Sequence, residues 1–256
     1  MSLPLVSIIT PTFNRPEFLN LVLECVLGQS YENIEWIILD DSLEPNLNFM
    51  EKLTGNSFTY IHSEKKLSIG EKRNQLIEAA SGEYIVHFDD DDFYNQDYIQ
   101  ALMGVMKSQK ADFIIMSGFY CLHLDKKLLG YYKTHIKKGF AFKFFKDGIQ
   151  TLSLDTQNIP WIHLCFGWCY LFKKEVWKKS PFQSINVFED RGFVIDAIKN
   201  KFKISFYEDK DGLAFHSVHK RSSSVCFPQF LLPPHLRQKI FMDRDAFIES
   251  FLQASK

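Results

Sequence analysis

Tyr84-Ile85-Val86-His87-Phe88-Asp89-Asp90-Asp91-Asp92 is the stretch on which the reading of this chain turns. A short apolar run of β type ends in four consecutive carboxylates. Neighbouring ionised aspartates repel one another, and at the tip of a buried strand that repulsion calls for a cation to offset it. Hard divalent ions such as Mg²⁺ and Mn²⁺ take oxygen donors of this kind and often complete their shell with phosphate oxygens. The run therefore points to metal-assisted chemistry on a phosphate-bearing substrate. A solvated acidic turn is the plainer alternative, and the flanking sequence must weigh the two.

Upstream, Val6 to Thr10 is a β-branched run closed by Pro11. Pro16 suits the first turn of a helix in which Phe18, Leu21, Val22, Cys25 and Val26 recur at helical spacing. Trp36 to Leu39 reads as a second strand ending in Asp40-Asp41-Ser42, and Phe58 to His62 as a third. Ser68-Ile69-Gly70-Glu71 is a capping box, opening a helix that runs through Leu76 and Ile77 to a stop at Ser81-Gly82. Beyond the Asp run, Tyr98, Ile99, Leu102, Val105 and Met106 predict another helix, and Phe113 to Ser117 another strand.

This alternation predicts an α/β fold: a mainly parallel, twisted sheet flanked by helices. In such open sheets ligands bind beyond the carboxyl ends of the strands, near a reversal of strand order. Asp40-Asp41 and Asp89 to Asp92 both fall at strand ends. Two acidic tips on one rim favour the metal–phosphate reading over solvation.

From about Phe119 the pattern loosens. Tyr131 to Phe145 is aromatic and basic, Ile159 to Phe172 is rich in aromatics, and Lys173 to Trp177 begins a short helix. Phe188 to Ile198 reads as a helix with Glu189-Asp190 near its start, Lys203 to Tyr207 as a last strand, and Pro233-Pro234 as the start of a final helix. There is no internal repeat, low-complexity tract or clear linker.

The bulk properties exclude several classes. A formal net charge of -1 gives no electrostatic case for nucleic acid. Hydrophobic content of 46% and charged content of 24% describe a globular chain, not a disordered one. The 25 Phe and 10 Tyr are expected mostly in the core. No stretch approaches the roughly 18 apolar residues of a membrane span, and Met1 to Thr10 lacks a signal-peptide pattern. The five cysteines are scattered without zinc-site spacing, which suits reduced thiols. A cytoplasmic protein is expected, with contact at the inner face of a membrane and homo-oligomerisation left open.

At this point the chain resembles the family 2 glycosyltransferases of GT-A fold. Val6-Ser7-Ile8-Ile9-Thr10-Pro11-Thr12-Phe13-Asn14-Arg15 is similar to the family's first strand and nucleotide loop, and Trp36 to Ser42 to its second strand with acidic tip. Lys72-Arg73-Asn74 lies where the family carries an Arg-Asn pair, and Ser81-Gly82-Glu83-Tyr84 introduces the Asp run. Asp89-Asp90-Asp91 supplies the D-x-D motif, and Glu189-Asp190 resembles the later acidic pair. Each motif alone is weak; the ordered set is specific. The resemblance covers residues 4–225 as one domain, with 4–118 binding the nucleotide sugar, 119–225 binding the acceptor, and 226–256 forming a helical tail. Ser42-Leu43-Glu44 follows the Asp pair where the family usually has Gly, and the Gln-x-x-Arg-Trp signature of processive synthases is absent.

The resemblance implies transfer of a sugar, with inversion, from a nucleotide-diphosphate sugar of UDP type to the hydroxyl of a glycan, lipid-linked or protein acceptor, one sugar at a time, in surface glycan or polysaccharide biosynthesis. It implies Mn²⁺ or Mg²⁺ as cofactor, with Asp91 the leading ligand and Asp89 contacting ribose or metal; Asp90 and Asp92 are weaker candidates. Asp41 would accept the N3–H of the base, Pro11 and Thr12 would line the base pocket, and Arg73 would approach the diphosphate, with a surface salt bridge as its plainer role. Asp190 is the expected general base and Glu189 orients it or binds acceptor, although both acids also complement a helix N-terminus. Some relatives place a His such as His219 near the metal, with a basic loop over the donor. Trp161, Trp168 and Tyr170 are candidates to stack on a sugar, against core packing. Two other readings are a binding-only relative and a sugar-phosphate nucleotidyltransferase, whose Gly-rich loop is missing from Pro11 to Arg15.

Overall fold

The computed structural model describes residues 3–53, 55, 57–158, 164–222, 224–241 and 245–254. The chain opens as the periodicity predicts: β1 (Val6–Thr12), α1 (Pro16–Leu27), β2 (Ile34–Asp40), a single turn α2 (Leu47–Met50), β3 (Phe58–His62), α3 (Ile69–Ala79) and β4 (Tyr84–His87). Ser68 and Glu71 form both halves of the capping box at the start of α3. A two-residue strand β5 (Phe93–Tyr94) and α4 (Tyr98–Gln109) follow the Asp run.

The second half is more regular than its sequence suggests. It contains β6 (Phe113–His123), β7 (Leu128–Lys133), the hairpin β8 (Lys138–Phe145) and β9 (Gly148–Asp155), then β10 (Leu171–Lys173), α5 (Lys174–Lys179) and α6 (Glu189–Lys199). β11 (Ile204–Glu208) is not the last strand: β12 (Ala214–Val218) and β13 (Phe230–Leu232) follow it. The expected final helix is two, α7 (Pro234–Ile240) and α8 (Asp245–Ala254).

The main sheet runs β13-β7-β6-β10-β4-β1-β2-β3. β3, β2, β1 and β4 are mutually parallel; β10 inserts antiparallel between β4 and β6, and β11 and β12 pair parallel with β6. Alternation along each strand feeds two separate cores. Ile8, Trp36 and Ile38 face α1 and α4 through Phe18, Val22, Ile99 and Leu102. Ile9, Ile37 and Leu39 face α3 and α6 through Leu76, Ile77, Phe193 and Val194. Phe241, Ile248 and Phe251 near the C-terminus join the first of these cores.

One local departure positions the site. Pro11 does not close β1 but lies inside it, paired in register with Leu39. A proline is tolerated there because β4 pairs with β1 only from Val6 to Ile9, so the missing N–H faces no partner strand. The chain order also reverses between β1 and β4, since β2 and β3 lie on the other side of β1. The gap that opens beyond Ile9 is where ligands bind in sheets of this kind. Phe88 leads the Asp run into it, held by its N–H on the Ile9 carbonyl (3.0 Å) and by Thr10 Oγ1 donating to its own carbonyl (2.7 Å).

Candidate active site

A cleft of about 550 Å³ opens at this gap, and Pro11, Arg73, Asp89, Asp90, Asp91, Trp168, Glu189 and Asp190 all line it. Thus most of the residues singled out from sequence converge, although they come from strand ends, two helices and loops nearly 180 positions apart.

The four aspartates, alike in side-chain chemistry, differ sharply in their surroundings. Asp90 accepts from Thr12 Oγ1 (2.6 Å) and Arg15 Nη1 (2.8 Å). Asp92, wholly buried, faces His216 Nδ1 (2.9 Å) and accepts from the Ser217 N–H (2.8 Å). Burial alone would lower the His216 pKa, but the Asp92 carboxylate overrides it and pushes the imidazole up to about 10, while burial pushes Asp92 up to about 6. Asp91 accepts from Arg15 Nη1 (2.8 Å) and faces His219 Nε2 (3.0 Å) at the same oxygen. Burial works against its charge, yet Arg15 and His219 hold it well below the usual carboxylate range. Asp89 has Oδ1 buried without a hydrogen bond, 3.7 Å from Arg73 Nη2. Burial, opposed by Arg73 and reinforced by the other three acids, pushes Asp89 up to about 7.

Asp89 and Asp91 therefore offer hard oxygen donors to the cleft, one of them unsatisfied, and this set fits Mn²⁺ or Mg²⁺. Among the described residues no three ligating side chains are gathered into a finished cage. An ion that shares its shell with phosphate oxygens needs none. His219 is fully buried behind Asp91 and meets the cleft through that carboxylate.

Arg73 is not on the surface. Its side chain is 5% exposed and makes a short ion pair with Glu189, whose own pKa burial raises against the pull of Arg73. A Cβ on Gly167 would lie 2.7 Å from Arg73 Nη1, so a glycine there lets the guanidinium pass. The Gly167 N–H in turn donates to Asp190 Oδ2 (3.1 Å), and the Arg191 N–H to Asp190 Oδ1 (2.7 Å). Asp190 sits half-buried in the first turn of α6, beside Glu189. Phe188, just before, holds φ at 66° although it is not glycine, a strained geometry that turns the acidic pair toward the cleft. Asn74, next to Arg73, is structural: it accepts from Trp177 Nε1 (2.8 Å) and the Phe182 N–H (2.9 Å) and donates to the Phe182 carbonyl (2.8 Å).

Asp41 lies beside the cleft, not in its lining. Lys72 Nζ bridges it (2.8 Å) to the Thr12 carbonyl (3.0 Å), and the Leu67 N–H (2.9 Å) and Lys66 also reach it. Thr12 contributes its hydroxyl to Asp90 and its carbonyl to Lys72. Ser42, at the family's usual Gly, has a job of its own: its Oγ accepts from the Asn14 N–H (2.7 Å) and donates to Asp40. Trp168 stacks on His216 with centroids 5.5 Å apart and leaves its Nε1 buried and unpaired. Tyr170 is wholly buried and donates to the Leu164 carbonyl, a core role. Trp161 lies outside the described residues.

Arg15, Lys72 and His216 were not singled out from sequence as site residues. Arg15 and Lys72 are visible as basic residues adjoining strand-end motifs, and His216 lies in the same His216 to Ser224 segment as the candidate His219. The five cysteines form no disulfide, and among the described residues no helix is long and apolar enough to cross a membrane.

The chain is 32% identical over 235 residues to the glycosyltransferase GlyG of Streptococcus pneumoniae, covering 88% of this chain and 74% of that protein. It is 28% identical over 228 residues to the cholesterol galactosyltransferase of Borreliella burgdorferi, covering 86% of this chain but only 62% of that protein. Among solved structures, S. aureus TarS 1-349 in complex with UDP-GlcNAc superposes with a TM-score of 0.64 at 19% identity, over 86% of this chain and 59% of TarS 1-349. The mannosyltransferase PcManGT of Pyrobaculum calidifontis, in complex with GDP-Man and Mn²⁺, does so with a TM-score of 0.61 at 12% identity, over 98% and 74%. Both likenesses are of fold, the GT-A arrangement. Residues 7–179 match the family described as Glycosyl transferase family 2, and the chain belongs to that family.

Proposed function

We propose that this cleft moves a sugar, with inversion, from a nucleotide-diphosphate sugar to an acceptor hydroxyl in glycan assembly. The observation that carries the reading is a set of buried, unsatisfied polar atoms around one space: Asp89 Oδ1, Arg73 Nε and Trp168 Nε1. Orphaned groups of this kind are rare in native proteins, and a polar ligand would satisfy them. Nucleotide-sugar complexes of TarS and PcManGT, which share the fold, support a nucleotide sugar as that ligand.

Asp89 and Asp91 would hold Mn²⁺ or Mg²⁺, which supplies Lewis-acid stabilisation of the charge that grows on the departing diphosphate. His219 fixes the orientation of Asp91, as outer-shell partners of metal ligands do. Asp190 takes the proton of the attacking hydroxyl, and the N–H groups of Gly167 and Arg191 aim its carboxylate. Arg73, neutralising Glu189, keeps that second acid from repelling Asp190. Asp41 receives the N3–H of a uracil base once the exposed Lys66 turns aside. The acceptor enters past Phe188 and the β8–β9 hairpin. We place the reaction in the cytoplasm or at the inner membrane face.

The test is a thermal-shift panel of nucleoside diphosphates and nucleotide sugars, each with and without Mn²⁺, followed by an assay for nucleoside diphosphate release. Stabilisation by one diphosphate that depends on Mn²⁺, together with release, is expected. No shift from any member of the panel removes the donor-site reading, and binding without release leaves a binding-only protein.

A further inference from the structure

Arg15 has no part in the reaction just described, yet it is tied into the acidic loop at two carboxylates. Its side chain is 18% exposed and lies between the cleft and a smaller cavity of about 210 Å³ lined by Asn14, Asp40 and Ser42. Nη1 donates to Asp90 Oδ1 and to Asp91 Oδ2, both at 2.8 Å. Nη2 donates to the Arg221 carbonyl at 2.7 Å. That carbonyl belongs to a turn closed by the Ser222 N–H on the His219 carbonyl (2.9 Å) and by the His219 N–H on Ser222 Oγ (3.0 Å). One guanidinium thus offsets two adjacent carboxylates and pins the turn that carries His219.

We propose that Arg15 is a displaceable internal counter-cation, which competes with the divalent ion for Asp91 and so makes metal uptake depend on the donor's diphosphate. The inference rests on the reading of Asp91 as a metal-binding carboxylate. Two cations on one carboxylate repel each other at short range in a partly desolvated site. A diphosphate changes the balance, because it adds negative charge and offers the guanidinium a fork of oxygens to turn to. By reciprocity, whatever the nucleotide adds to metal affinity the metal adds to nucleotide affinity.

The experiment titrates the full chain with Mn²⁺, following the free-ion EPR signal, first without nucleotide and then with the saturating diphosphate identified in the panel above. Relative to the unmodified protein, Arg15→Gln is expected to bind Mn²⁺ without nucleotide about tenfold more tightly, the size of one charge-assisted hydrogen bond. The gain in Mn²⁺ affinity on adding nucleotide should shrink by a similar factor. Arg15→Lys, which keeps the charge but cannot span both carboxylates and the Arg221 carbonyl, should fall between, and it carries the test if the Gln variant does not fold. Equal Mn²⁺ affinity of variant and unmodified protein without nucleotide, with nucleotide-dependent uptake intact, overturns this proposal alone. No Mn²⁺ uptake under any condition overturns the metal reading and the proposal with it.

Discussion

The two walls of the cleft are built in opposite ways. On one, Asp89 to Asp92 leave a strand end, and three of the four acids have partners at hydrogen-bond distance from distant parts of the chain. On the other, Leu152 and Leu154 from the hairpin, Val187 and Phe188 before α6, and Val225 and Phe227 near the C-terminus present apolar surface with few directional bonds. Directional bonds hold groups to the small tolerances that chemistry demands, whereas apolar surface tolerates substitution at modest cost. In the proposed reaction the first wall sets what is done and the second sets to whom.

The comparison breaks most visibly at Asp190, where the walls meet. Asp190→Asn is expected to lower transfer by about 10²–10⁴-fold, the range of general-base catalysis, with donor affinity unchanged by calorimetry. Transfer at the original rate would move the base elsewhere. Next in size is the buried pair behind it. Arg73→Met strands Glu189 in the interior and should cost about 3–5 kcal/mol in urea unfolding, as lone buried charges do; a loss under 1 kcal/mol would mean that Glu189 finds another partner.

On the apolar wall the effects should be gentler. Phe188→Ala removes a ring that is 62% exposed, and about a fivefold rise in acceptor KM is expected with donor KM unchanged, from partial loss of apolar contact. Equal rises in both constants would assign Phe188 to the donor. The smallest effect concerns Asp41. Burial raises its pKa, but hydrogen bonds from Lys72 and the Leu67 N–H prevail and bring it below 3.8. A lowered folded value means that its stabilisation is fully present above the unfolded pKa and is lost as pH falls through the folded one. In Lys72→Met the acid limb of a circular-dichroism titration should therefore shift upward in pH; an unmoved limb would mean that Leu67 and Lys66 suffice.

The regular wall was also the legible one. The strands from Val6, Trp36 and Phe58, the capped helix at Ser68 and the Asp-tipped strand all carry local periods that survive folding. The hairpin from Lys138 to Asp155 was missed although Asp147-Gly148 is a turn signal, because its aromatic and basic residues do not alternate cleanly about it. β12 and β13 were missed because each is a short strand whose partners, β6 and β7, lie roughly 100 positions away. Pro11 was misread as a strand end, since only the early departure of β4 makes a proline acceptable there. At the site, residue types announced the acids. What sets the surroundings of Asp91 apart from those of Asp92 is the arrival of Arg15, His216 and His219 from elsewhere, which no local pattern encodes.

That long-range dependence reaches into how the molecule is made. Asp92 is wholly enclosed, and its imidazole partner emerges more than 120 residues later in synthesis. Until β12 docks, sealing the acidic turn would trap a bare charge, so the turn must stay hydrated until then. Fragments ending before His216 lack the imidazole that faces Asp92, so they should keep that turn open to water.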